Sequence, residues 1–256
     1  MLFRPTPDPY RPHRATWRQP LYLHLAPLWD DLVEVLADCS GRVLDIGCGM
    51  QPYRPMLGPG VSEYVGLDRE GTLTNPTVVA DAYPLPFEDA TFDAVLATQV
   101  FEHVPEPEEA LSEAARVLRV GGQLIFTVPG VWPTHEAPHD HWRYTRHGLL
   151  ALLARHGLEL VEQRAQGGLW ATVGQMINLE LQRYAVLRQL VPISNLFFRA
   201  LDRLGARHDL VLNWMIRARR AVKPTPTPTP KPAQMSAPIP QTPGTPKREN
   251  QGDTTR

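Results

Sequence analysis

The chain has 256 residues, with 26 Lys and Arg against 27 Asp and Glu, a formal net charge of −1. That length suits one ordinary domain with appendages, and a balance so close to zero excludes the basic footprint of a nucleic-acid binder. Two cysteines, Cys39 and Cys48, build no disulfide framework and suit a reducing, cytoplasmic setting. No apolar run reaches the length of a membrane span, and the Pro- and Arg-rich first residues lack the apolar core of a signal peptide.

Residues 1–22 read as an extended lead-in, with Pro5, Pro7, Pro9, Pro12 and Pro20 breaking any regular element. Leu28, Leu32, Val35 and Leu36 recur at helical spacing, so a helix is expected over 24–38, flanking a sheet and ended by Ser40-Gly41. Val43, Leu44 and Ile46 then favour a buried strand over 42–46. Asp45 stands at its end, Gly47 and Gly49 allow a sharp turn close to a ligand, and Pro52 suits the first turn of a helix. A strand, a glycine turn and a helix start form a nucleotide-type corner of an α/β sheet. A dinucleotide fingerprint needs Gly or Ala where Pro52 stands, and no Gly-Lys-Ser/Thr of a P-loop follows. The Asp45 charge would repel a pyrophosphate and attract a ligand bearing an ammonium and a sulfonium. S-adenosylmethionine (SAM) is therefore the expected cofactor, ahead of NAD.

Val43–Gly49 resembles motif I of the class I SAM-dependent methyltransferases, V-L-D-x-G-C-G-x-G. The departure is at the last glycine, where Gln51 stands, a side chain suited to that place if its φ is negative. The resemblance implies a doubly wound, mostly parallel Rossmann-like sheet with helices on both faces. It also implies that Asp45 and the Gly47-Cys48-Gly49 backbone hold the methionine end of the cofactor. A second strand over Glu63–Leu67 ends at Asp68, 23 positions after Asp45 and next to Arg69, where an acid can accept from both ribose hydroxyls. Thr77–Ala80 is a short third strand, after which the family places an acid on the adenine amino group and a backbone N–H on the ring. Asp81 and Ala82 fit those two positions. The run Pro84-Leu-Pro-Phe87 to Phe92-Asp matches the family's small-molecule (type 11) branch and leads into a fourth strand over Phe92–Ala97. Gln99 and Val100 follow it and should face the methionine part, with His103 closing the next turn at the substrate pocket. Pro107–Val120 reads as a helix stopped by Gly121-Gly122, and Gln123–Val128 as the fifth strand.

Pro129–Trp142 holds three histidines and two acids in seven residues: His135, Glu136, His139, Asp140 and His141. A metal site, an acceptor pocket with a proton-removing group, and a capped loop all fit that composition. His139 and His141 at i and i+2, without a C-x-x-C or H-E-x-x-H pattern, speak against a metal. From His135 the run resembles an H-E-x-P-x-D-x-x-R-Y-T motif of bacterial class I methyltransferases. The resemblance implies that His135 and Asp140 shape the acceptor site as catalytic residues, with His139, Arg143 and Tyr144 around them. Arg143 should pair with Asp140, and Thr145 should cap a helix over 146–156.

Leu158–Arg164 reads as strand six, closing a SAM-binding domain over 23–166. A seventh strand is not evident. Residues 167–222 read instead as a helical C-terminal extension, Gly167–Leu190 and Ile193–Val222, with Leu169, Val173, Met176, Ile177, Leu181 and Tyr184 on one stripe. Arg217, Arg219 and Arg220 beside Leu210, Leu212, Trp214 and Ile216 suggest an interfacial helix, for a membrane surface or a homodimer face, against the alternative of a helix packed on the sheet. Residues 223–256, rich in Thr-Pro, offer nothing to bury, and a disordered tail is expected. The expected function is methyl transfer from SAM to a small-molecule or glycan- or lipid-linked acceptor. A SAM-binding scaffold without transfer and an NAD- or nucleotide-sugar-dependent enzyme are the rivals.

Overall fold

In a computed structural model, residues 14–69, 75–205 and 209–222 are described. The expected disordered tail lies outside them. Seven strands form one sheet in the order β3-β2-β1-β4-β5-β7-β6: β1 Ser40–Ile46, β2 Gly60–Asp68, β3 Val78–Val79, β4 Phe92–Thr98, β5 Leu118–Pro129, β6 Leu158–Gln166 and β7 Asn213–Arg220. The first five pair in parallel, and β7 runs antiparallel to both its neighbours. The doubly wound α/β expectation holds, as do β1, β2, β4 and the short β3.

The sheet is covered on both faces, which is why its central strands read as nearly continuous apolar runs. On one face α1 (Tyr22–Ala37) lays Leu28, Leu32, Val35 and Leu36 over Val43, Leu96, Ile125 and Met215. On the other, α2 (Pro107–Val117) and α3 (Arg146–Arg155) bring Ala110, Leu111, Ala114, Leu149 and Leu153 onto Leu44, Ile46, Val95 and Phe126. The Thr145 hydroxyl accepts from the Gly148 amide, the expected cap of α3. Helix α2 stops at Val117, before Val120, because Leu118 already turns into β5.

The C-terminal part differs from the helical extension expected over 167–222. Residues 213–220 are a strand, inserted between β5 and β6, and the sheet is incomplete without it. A boundary at 166/167 therefore cuts through one sheet. Trp214, Ile216 and Ala218 join the core of one face and Met215 that of the other. Leu210, Leu212, Trp214 and Ile216 are spaced by two, a strand period and not a helical one. The arginines of that segment are also not an interfacial face. Arg217 Nε donates to Gln123 Oε1 at 2.6 Å, and Arg220 donates to the Arg116 and Leu118 carbonyls.

Residues 167–205 make a helical excursion, α4 (Leu169–Leu181) and α5 (Val191–Leu204) with a 3-10 turn, Leu187–Leu190, between them. The expected apolar stripe of α4 is not its buried face. Ala171, Thr172, Gly174, Gln175 and Asn178 are buried, whereas Ile177 and Tyr184 are exposed. The reason is a buried amide network together with a close helix contact. Asn178 Nδ2 donates to Asn195 Oδ1 at 2.8 Å, Asn195 Nδ2 to the Trp17 and Gln19 carbonyls, and Gln175 Nε2 to the Pro20 carbonyl. Gly174 lets the Phe198 ring of α5 rest on the α4 backbone, where an added Cβ would lie 2.7 Å from Phe198 Cδ2. Gly174→Ala is expected to lower unfolding stability by about 1–3 kcal/mol, the overlap outweighing the gain in helix propensity. Chemical denaturation of the two proteins side by side measures it.

Candidate functional site

A cleft of about 640 Å³ opens at the carboxyl ends of β1 to β4, where an open α/β sheet places its ligands. Its size falls in the range of small-molecule sites. Of the expected cofactor residues, Gly47, Gly49, Asp68, Arg69, Asp81, Ala82, Gln99 and Val100 line it, and so do His103 and His139.

The turn after β1 is built by left-handed backbone. Gly47 has φ 66° and Gly49 φ 51°, and a Cβ on Gly47 would strike the Val100 side chain at 2.5 Å. A Cβ on Gly49 would meet nothing within 4 Å, so its bare backbone faces open space. Asp68 is fixed from both sides: the Gly49 amide donates to Oδ2 and the Arg69 amide to Oδ1, each at 2.8 Å. Both oxygens keep lone pairs free to accept from a ligand in the cleft. Asp81 is exposed at the opposite part of the same wall, after β3.

Gln51 sits at φ 58°, not at the negative φ that its side chain prefers. The conformation is held by Gln51 Nε2 donating to the Asn75 carbonyl at 2.6 Å and by Oε1 accepting from Arg54 at 3.0 Å. Gln99 is likewise at φ 55°, held by its amide on the Thr127 carbonyl and by Nε2 on Thr127 Oγ1.

Asp45 does not line the cleft. It is 2% exposed, and Tyr64 donates its hydroxyl to Oδ2 at 2.6 Å. Burial pushes its carboxyl up to about 7, the Tyr64 hydrogen bond opposing that rise and the nearby Asp68 adding to it. A direct contact between Asp45 and the methionine end is therefore not what the structure shows. The acid backs the glycine turn from behind. Cys48 is also buried, its thiol pushed up to about 12 by burial, and fills space under the turn.

The loop after β5 is stapled by one ion pair. Arg143 grips both carboxylate oxygens of Asp140 at 2.6 and 2.7 Å and spends its remaining N–H groups on the Trp132, Pro133 and Trp142 carbonyls. The His135 amide also donates to Asp140 Oδ2. These bonds hold the Asp140 carboxyl far below the ordinary carboxylate range, the Arg143 contact first among them. Bound on both oxygens and outside the cleft, Asp140 anchors the loop. Tyr144 is buried, donating to the Phe101 carbonyl at 2.9 Å, and with Arg143 it locks the loop from behind instead of lining the pocket.

His135 does not line the cleft, but its ring packs 4.8 Å from that of His103. His103 reaches the cleft itself. Its Nδ1 lies 2.8 Å from the His139 carbonyl, which can only accept, so Nδ1 is the donor there and Nε2 is turned to other partners. Nε2 lies 3.8 Å from the Glu136 carboxylate. Tyr83, Val104 and Pro105 line the cleft without having been singled out in the sequence, and Glu136, named there only as part of the loop motif, lines it too. Nor was Glu102, which is fully buried with neither carboxylate oxygen hydrogen-bonded, and which burial pushes up to about 8. Among the described residues Glu102, His103 and His135 form the one group with a cation's donor set. Their donor atoms spread over as much as 4.8 Å, whereas ligands about 2.1 Å from one tetrahedral ion lie about 3.4 Å apart.

Residues 44–126 match a methyltransferase domain family. A fatty-acid O-methyltransferase of Mycolicibacterium smegmatis is 32% identical over 149 residues, 50% of this chain and 48% of that protein. A ubiquinone/menaquinone biosynthesis C-methyltransferase of Rhizobium etli is 39% identical over 100 residues, 37% of this chain and 36% of that protein. The chain thus spans half or less of the length of these two relatives. Among solved structures, a geranyl diphosphate methyltransferase in complex with SAM has a TM-score of 0.52 at 16% identity, over 79% of this chain and 92% of that one. The [4+2]-cyclase SpnF has a TM-score of 0.51 at 22% identity, over 78% and 83%. Those two likenesses concern the fold alone. Taken with the family match, the relatives support a class I SAM-dependent methyltransferase.

The buried Asp45 carboxyl carries a stability signature. Its folded-state pKa is raised, so the folded state holds the proton more tightly, and ionisation weakens the fold as pH climbs from about 4 to about 7. In the ligand-free protein Asp45→Asn is expected to erase that slope. The variant should gain on the order of 2–4 kcal/mol over the parent at pH 8 and nothing below pH 4. Thermal melts across that range read it out.

Proposed function

We propose that the protein transfers a methyl group from SAM to the nucleophilic oxygen of a small-molecule or lipid- or glycan-linked acceptor. The observation that carries the reading is Asp68, clamped by the Gly49 and Arg69 amides on the wall of a cleft that also holds Asp81, Gln99 and Val100. The residues present suit the cofactor. The bare Gly49 backbone leaves room at one end, the two Asp68 oxygens remain able to accept from a ribose diol, and Asp81 with Ala82 can meet an adenine edge. The methyl donor, when bound, supplies an already activated sulfonium carbon.

What is left to the chain is placement and one proton. Holding the acceptor in line with the donor converts a bimolecular reaction into a local one, a large share of what such a site contributes. The 3-10 turn Phe101–His103 and the loop around His139 form the wall beyond the cofactor residues. His103 turns Nε2 there, because the His139 carbonyl holds the Nδ1–H, and in the neutral ring Nε2 carries the lone pair. His103 thus takes the proton of an acceptor hydroxyl, with the Glu136 carboxylate stabilising the imidazolium that results. Asp140, Arg143 and Tyr144 keep the loop in place.

Titration calorimetry should show SAM binding and no NAD binding. Asp68→Ala should weaken SAM about 100-fold, the equivalent of two hydrogen bonds to a charged acceptor. Binding of NAD alone would overturn the reading. Binding of SAM without S-adenosylhomocysteine formation across hydroxyl, amine and carboxylate acceptors would favour a SAM-binding scaffold.

With an acceptor in hand, His103→Ala should lower kcat at least about 100-fold while leaving SAM affinity within a few-fold. Equal losses in SAM binding and in kcat would reduce His103 to a wall residue.

A further inference from the structure

The helical excursion carries an apolar face that none of the described residues covers. On α5 the exposed positions Ile193, Leu196, Phe197, Ala200 and Leu204 fall at i, i+3, i+4, i+7 and i+11, one continuous stripe. Ile193 is 67% exposed, Phe197 56% and Leu204 86%. The 3-10 turn before it adds Val186, 77% exposed, with Leu187 and Leu190. A helix normally turns such a stripe inward, but the opposite side of α5 is already committed to α4 through Phe198 and Asn195.

The charge around the stripe is positive in balance. Residues 183–204 contain four arginines, Arg183, Arg188, Arg199 and Arg203, against one acid, Asp202. Asp202 is turned inward, where its two oxygens accept from the Gly168 and Ala171 amides at the start of α4. Arg199 lies over the Tyr22 ring and Arg183 pairs with the exposed Glu180 at 3.5 Å, which leaves Arg188 and Arg203 as the exposed cations beside the stripe. An exposed apolar stripe flanked by an excess of cations fits the headgroup boundary of an anionic bilayer. A second copy of the chain fits it poorly, since two such faces would bring like charges together.

We infer that the 3-10 turn Leu187–Leu190 and α5 form a peripheral membrane-binding surface for anionic lipid. Its placement has a consequence. The excursion leaves the sheet after Gln166 and returns at Asn213, and both residues pair at the same level as Pro129, at the carboxyl end of β5. It therefore departs from and returns to the edge on which the cleft opens. A protein seated on a bilayer by this face would have that edge served by the membrane. The surface chemistry itself does not depend on the methyl-transfer reading.

The experiment is co-sedimentation of the full chain with phosphatidylcholine vesicles, with and without phosphatidylglycerol. Binding should appear with phosphatidylglycerol and weaken as NaCl is raised. The pair Leu196→Ser and Phe197→Ser, both exposed, should lower partitioning at least about 30-fold. Arg188→Gln should lower it about fivefold on the anionic vesicles only. Thermal melts and SAM calorimetry on the same variants should match the parent, so that a failure of the surface is separable from a failure of the cofactor site. No binding to either vesicle, or equal binding by the double variant, overturns the inference. So does a dimer by light scattering that the double variant dissociates, which would assign the stripe to a second copy.

Discussion

The site depends on one charge-assisted hydrogen bond, from the Gly49 amide to Asp68 at 2.8 Å. It joins the turn after β1 to the end of β2, and so converts two neighbouring strand ends into one rigid corner. The bond requires the left-handed Gly47 and Gly49 backbone to aim the amide across the gap, and it requires β1 and β2 in parallel register, with Ile46 opposite Leu67. Both conditions come from burial: Val43, Leu44 and Ile46 fix the strand, and the helices on either face fix the sheet. The carboxylate gains two amide donors and loses freedom before any ligand arrives, which is the preorganisation a binding site needs.

Most of this corner is legible in the sequence. A strand ending in Asp-x-Gly-x-Gly, an acid 23 positions on and another after a short third strand name Gly47, Gly49, Asp68 and Asp81, and all four meet in one cleft. Asp45 lies outside the cleft for a reason also present in the sequence. Strand side chains alternate, and Asp45 shares the side of Val43, which packs under α1, whereas the cleft-lining Ile46 belongs to the other face. The motif identifies an acid of consequence without saying where it points.

Other features were out of reach of local pattern. Strand β7 is a strand because β5 and β6 leave a gap with unpaired edges on both sides, a demand made by residues far away in the chain. Its arginines look like a basic helix end until Gln123 and the Leu118 carbonyl supply partners. The α4 stripe misled for a different reason: the helix packs on α5 and the lead-in through amides and a glycine, so apolar count does not mark its buried side. Glu102 reads as a surface acid, and only the packing of the loop after β5 removes it from water: Trp142 Nε1 bonds the Val104 carbonyl and the His141 amide bonds that of Glu102. The Asp140–Arg143 pair that holds this loop was legible, being a matter of i and i+3.

The two edges of the sheet are built on opposite terms. At the amino edge Asp93 accepts from the Arg42 amide and pairs with Arg119, a compact charged knot that ties β1, β4 and β5 together. At the carboxyl edge the backbone is more often held away from its preferred basins: of the four described non-glycine residues at φ between 52° and 58°, Gln51, Gln99 and Glu136 lie there and Ala90 alone precedes β4 at the amino edge. Positions of that kind cost about 1–3 kcal/mol apiece and persist only where neighbours over-determine them. Here the neighbours are identifiable for the two glutamines, as the Asn75 carbonyl and Thr127. Gln99 and Glu136 line the cleft, and Gln51 closes the glycine turn beside it. Stability drawn from the knotted edge and the two apolar layers thus sustains strain at the edge where a ligand is shaped, and the fold spends its rigidity where the chemistry has to be positioned.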